Sequence, residues 1–422
     1  MKKIVVLMLI VLVMAVVYFS GAGDFGDLFN NKRSLNILFI TIDALRKDHL
    51  TCYGYKKDIT PNIDRLAREG VIFTQAISQG SSTHYSVPSF LSSIYVRIPQ
   101  LKNRFYPPTN TNLPEILKEK GYFVGIMGAN AVYPYDQTKL DLCENIDDIQ
   151  AEELTRRVVE FLRKEQDKPF FFWIHYWDVH TPRLSLAEAG GDKILQYDTG
   201  LILADEHVGI LLRELERLNL DKNTLVILSA DHGEGLGEHG SWSHGGIVWD
   251  EVLRVPLIFK CPGVIPKQRR FDNQVGLIDI GPTILDILRL DKSEEMEGSS
   301  LFPLILNKQF IHCPYIFSEH YQDEFKPGFD RYICSVRTQD WKLIRIRVSG
   351  SEELEYMLYN LKKDPKELTN LAEVEKRQFE FLKQRLEDWL KQKRTIVKLD
   401  EEIAKDKAKE TVERLRRLGY MQ

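Results

Sequence analysis

Short apolar runs alternate with amphipathic stretches along most of this chain. Asn36 to Ile42 (NILFITI) is an unbroken, β-branched-rich run that ends at Asp43, the pattern of a strand buried on both faces. Similar runs recur at Phe123–Met127, Phe170–His175, Thr224–Ser229 and Val255–Lys260. Between them the apolar spacing becomes helical. Pro61–Glu69 predicts a helix with Thr60 as N-cap and Pro61 at its first position. Leu113–Lys120 predicts one that stops at Gly121. Ala151–Lys164 is amphipathic and Gln196–Leu218 is a long helix. Such alternation predicts an α/β sheet with helices on both faces. Sites in these folds lie at the carboxyl ends of the strands. Three strands deliver polar residues there: Asp43, the His175–His180 segment and Asp231-His232.

The pattern changes after about residue 290. Ser293–Ser300 is a polar link, and Arg331–Val336 and Lys342–Val348 look like antiparallel strands. Tyr356–Tyr359, a turn at Asp364-Pro365, a charged helix over Glu373–Lys393 and a second over Glu401–Leu418 follow. The expected division is 34–300 for the main domain and 301–422 for a smaller subdomain. At the other end, Met1-Lys2-Lys3 leads into an apolar run, Ile4–Phe19. Its length falls between a signal-peptide core and a spanning helix. Residues 1–23 are expected to be an uncleaved membrane anchor, or a signal peptide cut after the small residues Ser20-Gly21-Ala22. Lysines before the run and Asp24 and Asp27 after it are expected to place the main body of the chain outside the cytoplasm, anchored or secreted.

Composition removes several classes. Of 422 residues, 57 are Lys or Arg and 61 Asp or Glu, giving a net charge of −4, which argues against nucleic acid as a partner. Five cysteines without a CxxC pair exclude a zinc ribbon and a disulfide scaffold.

Candidate chemistry gathers in loops. Ser229-Ala230-Asp231-His232-Gly233-Glu234-Gly235 offers a carboxylate and an imidazole to a divalent ion at a strand end. Asp43 can supply a second carboxylate to that ion. Ser86 precedes Phe90-Leu91, which reads as a helix start. A hydroxyl there would gain from the helix dipole, and a metal beside it would make it a nucleophile. The plainer reading of Ser86 is an N-cap. His180 and His244 add imidazoles in loops that flank strand ends. Asp205-Glu206-His207 has a spacing that suits a helix surface better than one ion. Tyr53, Tyr55, Tyr85, Trp242 and Trp249 could line a carbohydrate or aryl subsite, but core is the better reading.

These residues resemble the sulfatases, a branch of the alkaline-phosphatase superfamily of metal-dependent hydrolases. The resemblance is carried by NILFITIDALRKDHLTCYGY (36–55), TPNIDRLAREGVIF (60–73), SVPSFLSS (86–93), HYWDVHTP (175–182) and TLVILSADHGEGLGEHG (224–240). It continues through RVPLIF (254–259), GLIDIGPTILDIL (276–288), LYNLKKDPKELTNL (358–371) and LRRLGY (415–420). It implies a mixed, mostly parallel sheet between helices, with a smaller C-terminal α+β subdomain. Asp43, Asp231 and His232 fall on the family's metal-ligand positions, and Ser86 on the nucleophile position, where it would also touch the metal. His180 matches the histidine that contacts the transferred group. His244 stands where many arylsulfatases have lysine. One divalent ion is implied, Ca²⁺ by family default; the N/O ligand set also admits Mn²⁺, Mg²⁺ or Zn²⁺.

Four departures shape the expected chemistry. Arylsulfatases carry Cys-x-Pro-x-Arg, whose first residue is oxidised to formylglycine; here Phe90 replaces the Arg, which counts against that oxidation. Ala44 follows Asp43 where many sulfatases have a second Asp. The stretch near Gly128-Ala129-Asn130-Ala131 lacks the family's Lys and His, and Val179 replaces the Pro before His180. The site therefore loses a carboxylate and several cations. A monoanionic sulfate ester or phosphodiester suits it better than a phosphate monoester dianion. The expected function is a metal-dependent hydrolase of sulfate esters, or of phosphodiesters, on a small molecule or glycan. Ser86 would form a covalent intermediate, and His244 or His180 would protonate the leaving oxygen. The alternative is a transferase of the phosphoglycerol or phosphoethanolamine type acting on cell-surface polymers. A non-catalytic binding protein would need the metal position lost, yet Asp43, Asp231 and His232 are all present.

Overall fold

The computed structural model describes residues 35–96, 112–128, 137–146, 149–164, 168–310, 312–322, 331–348, 351 and 353–392. The N-terminal apolar segment, residues 129–131 and the terminal helix expected over 401–418 lie outside them. Among the described residues no helix is long and apolar enough to cross a membrane.

Eight strands form the main sheet: β1 Asn36–Ile42, β2 Val71–Ile77, β3 Phe123–Gly128, β4 Leu142–Asn145, β5 Phe170–Tyr176, β6 Thr224–Ser229, β7 Arg254–Lys260 and β8 Arg269–Gly276. Their order is β4-β3-β5-β1-β6-β7-β2-β8. Only β7 runs against its neighbours; every other pairing is parallel. This is the expected α/β architecture with a mostly parallel sheet. β1, β5 and β6 are buried at every position, so helices cover both faces of the sheet centre. The helices are α1 Pro61–Arg68, α2 Thr83–Ser92, α3 Leu113–Glu119, α4 Ala151–Arg163, α5 Lys193–Arg217 and α6 Ile280–Ile287.

Within the described residues the strands and helices read from the pattern are present, with ends shifted by a few residues at most. Three strands of this sheet, β2, β4 and β8, were not legible. β8 is the clearest case: it is an edge strand that exposes Arg270, Asp272 and Asn273, so it lacks an apolar run. Helix α2 departs further: it begins at Thr83, seven residues before the start expected at Phe90-Leu91, and contains Pro88 in its interior. Trp242 is 49% exposed and is not core. Asp205 is no ligand candidate: its carboxylate accepts from the Asn62 and Ile63 backbone N–H groups at 3.2 and 2.8 Å, capping α1.

A second sheet follows: β9 Ile316–Gln322, β10 Arg331–Arg337, β11 Trp341–Val348 and β12 Leu354–Asn360, antiparallel in the order β12-β11-β10-β9. Helix α7 (Lys376–Lys391) buries Leu382, Leu386 and Trp389 against it, and the Trp389 ring stacks on Phe317 at 4.7 Å. Two devices join this sheet to the first. One is a buried ionic network: Arg337 pairs with Asp250 at 2.9 Å, and Lys342 reaches Asp250 at 3.1 Å and Glu367 at 3.0 Å. The other is a backbone grip by β9 on the segment before α2. Ser318 Oγ donates to the Ser78 carbonyl at 2.6 Å, the Glu319 N–H donates to the Gln79 carbonyl at 3.0 Å, and Gly80 bridges Glu319.

Candidate active site

Adjacent parallel strands bring the chemistry together. β1 lies between β5 and β6, so Asp43, the segment after Tyr176 and the Asp231-His232 pair emerge side by side at one edge. The Asp43 N–H donates to the Tyr176 carbonyl at 2.8 Å, and Ala44 then turns the chain with φ +58°. Past His232, Gly233 lies against the 251–252 backbone: a Cβ there would sit 2.2 Å from the Glu251 carbonyl oxygen. Only glycine permits that approach.

Asp43, Asp231 and His232 each offer a ligand atom within 4.8 Å of the others, and all three are buried. His232 Nε2 is 3.5 Å from Asp43 Oδ1 and 3.3 Å from Asp231 Oδ2. Among the described residues these two carboxylate oxygens have no hydrogen-bond partner. Buried, unpartnered carboxylate oxygens are costly unless a cation meets them. His232 Nδ1 lies 2.9 Å from the Gly233 carbonyl; with the proton there, the Nε2 lone pair faces the carboxylates. Two hard oxygens and one imidazole nitrogen fit a divalent cation.

A fourth group was read from the sequence only as the start of the His175–His180 segment, with no role of its own. His175, on β5, has Nε2 3.4 Å from Asp43 Oδ2 and Nδ1 2.7 Å from Thr41 Oγ1. Burial alone would raise the Asp43 pKa. The contact with His175 and the fields of His232 and His180 outweigh it and hold the carboxyl well below the usual range.

The hydroxyls are placed differently from the expectation. Ser86 is 1% exposed; its Oγ donates to the Asp231 carbonyl at 2.6 Å and lies 3.0 Å from Ser78 Oγ. It braces the metal-ligand loop from behind. Thr83, the first residue of α2, has its Oγ1 3.4 Å from Asp43 Oδ2 and 3.4 Å from His232 Nε2. That oxygen sits at the ligand cluster and at the positive end of the helix dipole. Thr83 escaped the sequence reading because the helix start was expected at Phe90-Leu91, which left Thr83 outside the helix. The available signal was its position one helical turn before Ser86.

Three imidazoles surround this point. His244 stacks on His232 with ring centres 4.3 Å apart and lies 5.1 Å from His180. His244 Nδ1 is 3.1 Å from Glu234 Oε2, and this carboxylate raises the His244 pKa against the effect of burial. Trp177 Nε1 donates to His180 Nδ1 at 2.6 Å, leaving the proton of neutral His180 on Nε2. Burial lowers the pKa of His180.

The family model for sulfatases matches residues 35–290, and that for the N-sulphoglucosamine sulphohydrolase C-terminal region matches residues 237–396. The chain belongs to the sulfatase family. This sulfatase-family chain is 31% identical over 203 residues to an N-acetylglucosamine-6-O-sulfatase of Bacteroides thetaiotaomicron, a stretch covering 46% of this chain and 35% of that protein. It is 24% identical over 429 residues to the uncharacterized sulfatase YidJ of Escherichia coli, covering 80% and 83% of the two chains. With several curated sulfatases, then, the matched stretch spans only about a third of the relative's length. Among solved structures, one in complex with its substrate D-glucosamine-2-N,6-O-disulfate superposes with a TM-score of 0.71 at 21% identity, covering 85% of this chain and 98% of that one. That likeness establishes the shared fold.

Proposed function

We propose that this chain is a divalent-metal-dependent hydrolase of sulfate esters carried on a carbohydrate, with Thr83 in place of Ser86 as the nucleophile. The observation that carries the proposal is the position of Thr83 Oγ1, 3.4 Å from both Asp43 and His232 in the ligand cluster. Asp43, Asp231 and His232 would hold the ion, with Thr83 Oγ1 beside it. When bound, the ion supplies positive charge that lowers the hydroxyl pKa and offsets charge on the transferred group.

A threonine changes the chemistry expected from the family. Its Cβ bears a methyl group, so oxidation would give a ketone and never formylglycine. The route left is direct displacement. Thr83 Oγ1 releases its proton to solvent and forms a bond to sulfur as the sulfur–oxygen bond to the sugar breaks. The departing oxygen takes a proton from His244, which Glu234 keeps oriented at 3.1 Å. Neutral His180 would donate Nε2–H to the transferred group. Water then attacks the sulfur of the threonine ester, releasing sulfate and restoring the hydroxyl. A carbohydrate as carrier is supported by the relative that acts on N-acetylglucosamine 6-sulfate and by the neighbour bound to a glucosamine disulfate.

The unoxidisable Thr83 hydroxyl also favours a second reading, displacement at phosphorus of a phosphodiester with transfer to an acceptor alcohol. One experiment tests both. Sulfated monosaccharides and phosphodiesters are assayed with metals added singly, with and without an acceptor alcohol. Turnover of the sulfate esters supports the first reading. Turnover of phosphodiesters alone would replace it with the second.

A further inference from the structure

The described part of the site is short of permanent cations: Asp43, Thr83, Asp231 and His232 are surrounded by imidazoles. One of these comes from the second sheet. His320, on β9, is 6% exposed and packs edge-on against the Tyr85 ring at 5.3 Å. Its register is fixed by the grip described above, in which the two preceding residues, Ser318 and Glu319, bind the backbone at Ser78 and Gln79. His320 itself continues the series, with Nδ1 2.9 Å from Ser81 Oγ. Strand β9 thereby sets an imidazole against the segment that leads into Thr83. The titratable groups facing it are His244, His232 and His84, the first two at the ligand cluster and the third next to Thr83.

The tautomer follows from hydrogen-bond accounting. Ser81 is fully buried, and among the described residues its hydroxyl has His320 Nδ1 as its partner. Were Nδ1 protonated, the Ser81 hydroxyl hydrogen would be sealed in without an acceptor, which is costly. Ser81 therefore donates to Nδ1, and the ring proton sits on Nε2. Burial, with the fields of the neighbouring histidines, pushes the His320 pKa down to about 3, so the ring is neutral at ordinary pH. Its Nε2 has no protein partner among the described residues and is not one of the sealed polar atoms. The result is a fixed, uncharged N–H donor beside a site built for an anion.

We propose that His320 is a substrate-contacting residue whose Nε2–H donates a hydrogen bond to an anionic oxygen of the group bound beside Thr83. This rests on the reading of that site as one for a sulfate-bearing ligand. It gives the second sheet a direct part in binding, and Ser81 the role of positioning residue for the ring.

The test is titration of inorganic sulfate into the full chain loaded with Ca²⁺, by calorimetry. A neutral donor to a charged acceptor is worth about tenfold or more in affinity. His320→Ala should weaken sulfate binding by about that factor. His320→Gln, whose amide N–H can approach the Nε2 position, should restore most of it, and Ser81→Ala should have a smaller effect. Unchanged affinity in His320→Ala would overturn the proposal. Nitrogen-labelled histidine NMR on the unmutated protein gives a second reading that needs no variant to fold. The expected result is a neutral Nε2–H ring for His320 whose resonance shifts with sulfate; an Nδ1–H ring, or one blind to sulfate, overturns the contact. Binding and turnover are separate readouts. Sulfate binding that depends on His320, with no ester hydrolysed, would sink the proposed reaction and leave the contact standing.

Discussion

Exchanging the two hydroxyls of α2 for hydrogen, one at a time, separates a nucleophile from a brace. Thr83→Ala removes the only hydroxyl within reach of both Asp43 and His232 among the described residues. Losing an attacking group of this kind costs on the order of 10⁴-fold or more in kcat. Thr83→Ser keeps the oxygen and loses one methyl, so its kcat should stay within about tenfold of the parent. Ser86→Ala deletes the 2.6 Å bond to the Asp231 carbonyl. That carbonyl is not left orphaned, because Ser78 Oγ also lies 2.6 Å from it. The loss should therefore be about 1 kcal/mol of stability, typical of one hydrogen bond whose acceptor keeps a partner. The assay is turnover of a sulfate ester by the full chain, with melting temperature as the stability readout. Quenched peptide mass spectrometry should find the sulfuryl group on the peptide at Thr83. A dead Ser86→Ala beside an active Thr83→Ala would refute the reasoning.

Other outcomes follow from the same geometry. A divalent ion at 100 times its Kd should stabilise the protein by about 2.7 kcal/mol, read as a rise in melting temperature, and Asp43→Asn should abolish the rise. Glu234→Gln removes the carboxylate that raises His244, so the alkaline limb of kcat/KM should move to lower pH; an unmoved limb would exclude His244 as the acid. Burial would raise Asp250, but Arg337 and Lys342 hold its carboxyl well below the ordinary aspartate value of 3.8. Its contribution to stability is therefore complete above pH 3.8 and lost as pH falls below it. Asp250→Asn should cost about 3 kcal/mol in denaturant unfolding near neutral pH and flatten that acid loss. The figure is at the low end for a broken buried pair because Lys342 keeps Glu367 at 3.0 Å.

The legible parts of this molecule were those where one physical demand dominates. β1, β5 and β6 are buried on both faces, so their composition is uniformly apolar and their ends announce Asp43 and Asp231-His232. β8 serves a sheet edge and β2 carries Thr74 and Gln75 within its run, so no periodicity marks either strand. The cluster of Asp43, Asp231 and His232 could be read because each member sits at a strand end. The nearness of Thr83 to it could not, since that depends on a helix boundary, and the helix starts well before Phe90-Leu91. His175 sits in an otherwise apolar strand, and only the pairing of β1 with β5 brings it to Asp43. His320 comes from a different sheet, and nothing local in its sequence ties it to residues some 240 positions earlier.

The clasp of β9 on residues 78–81 ties two distant stretches of the chain together. A polypeptide released after residue 300 would keep every strand of the large sheet, along with Asp43, Asp231 and His232. It would lack the backstop that holds the lead-in to Thr83. Its hydroxyl would have to find its own place, and whatever residual turnover survived would measure how far the smaller sheet acts as a jig for the larger one.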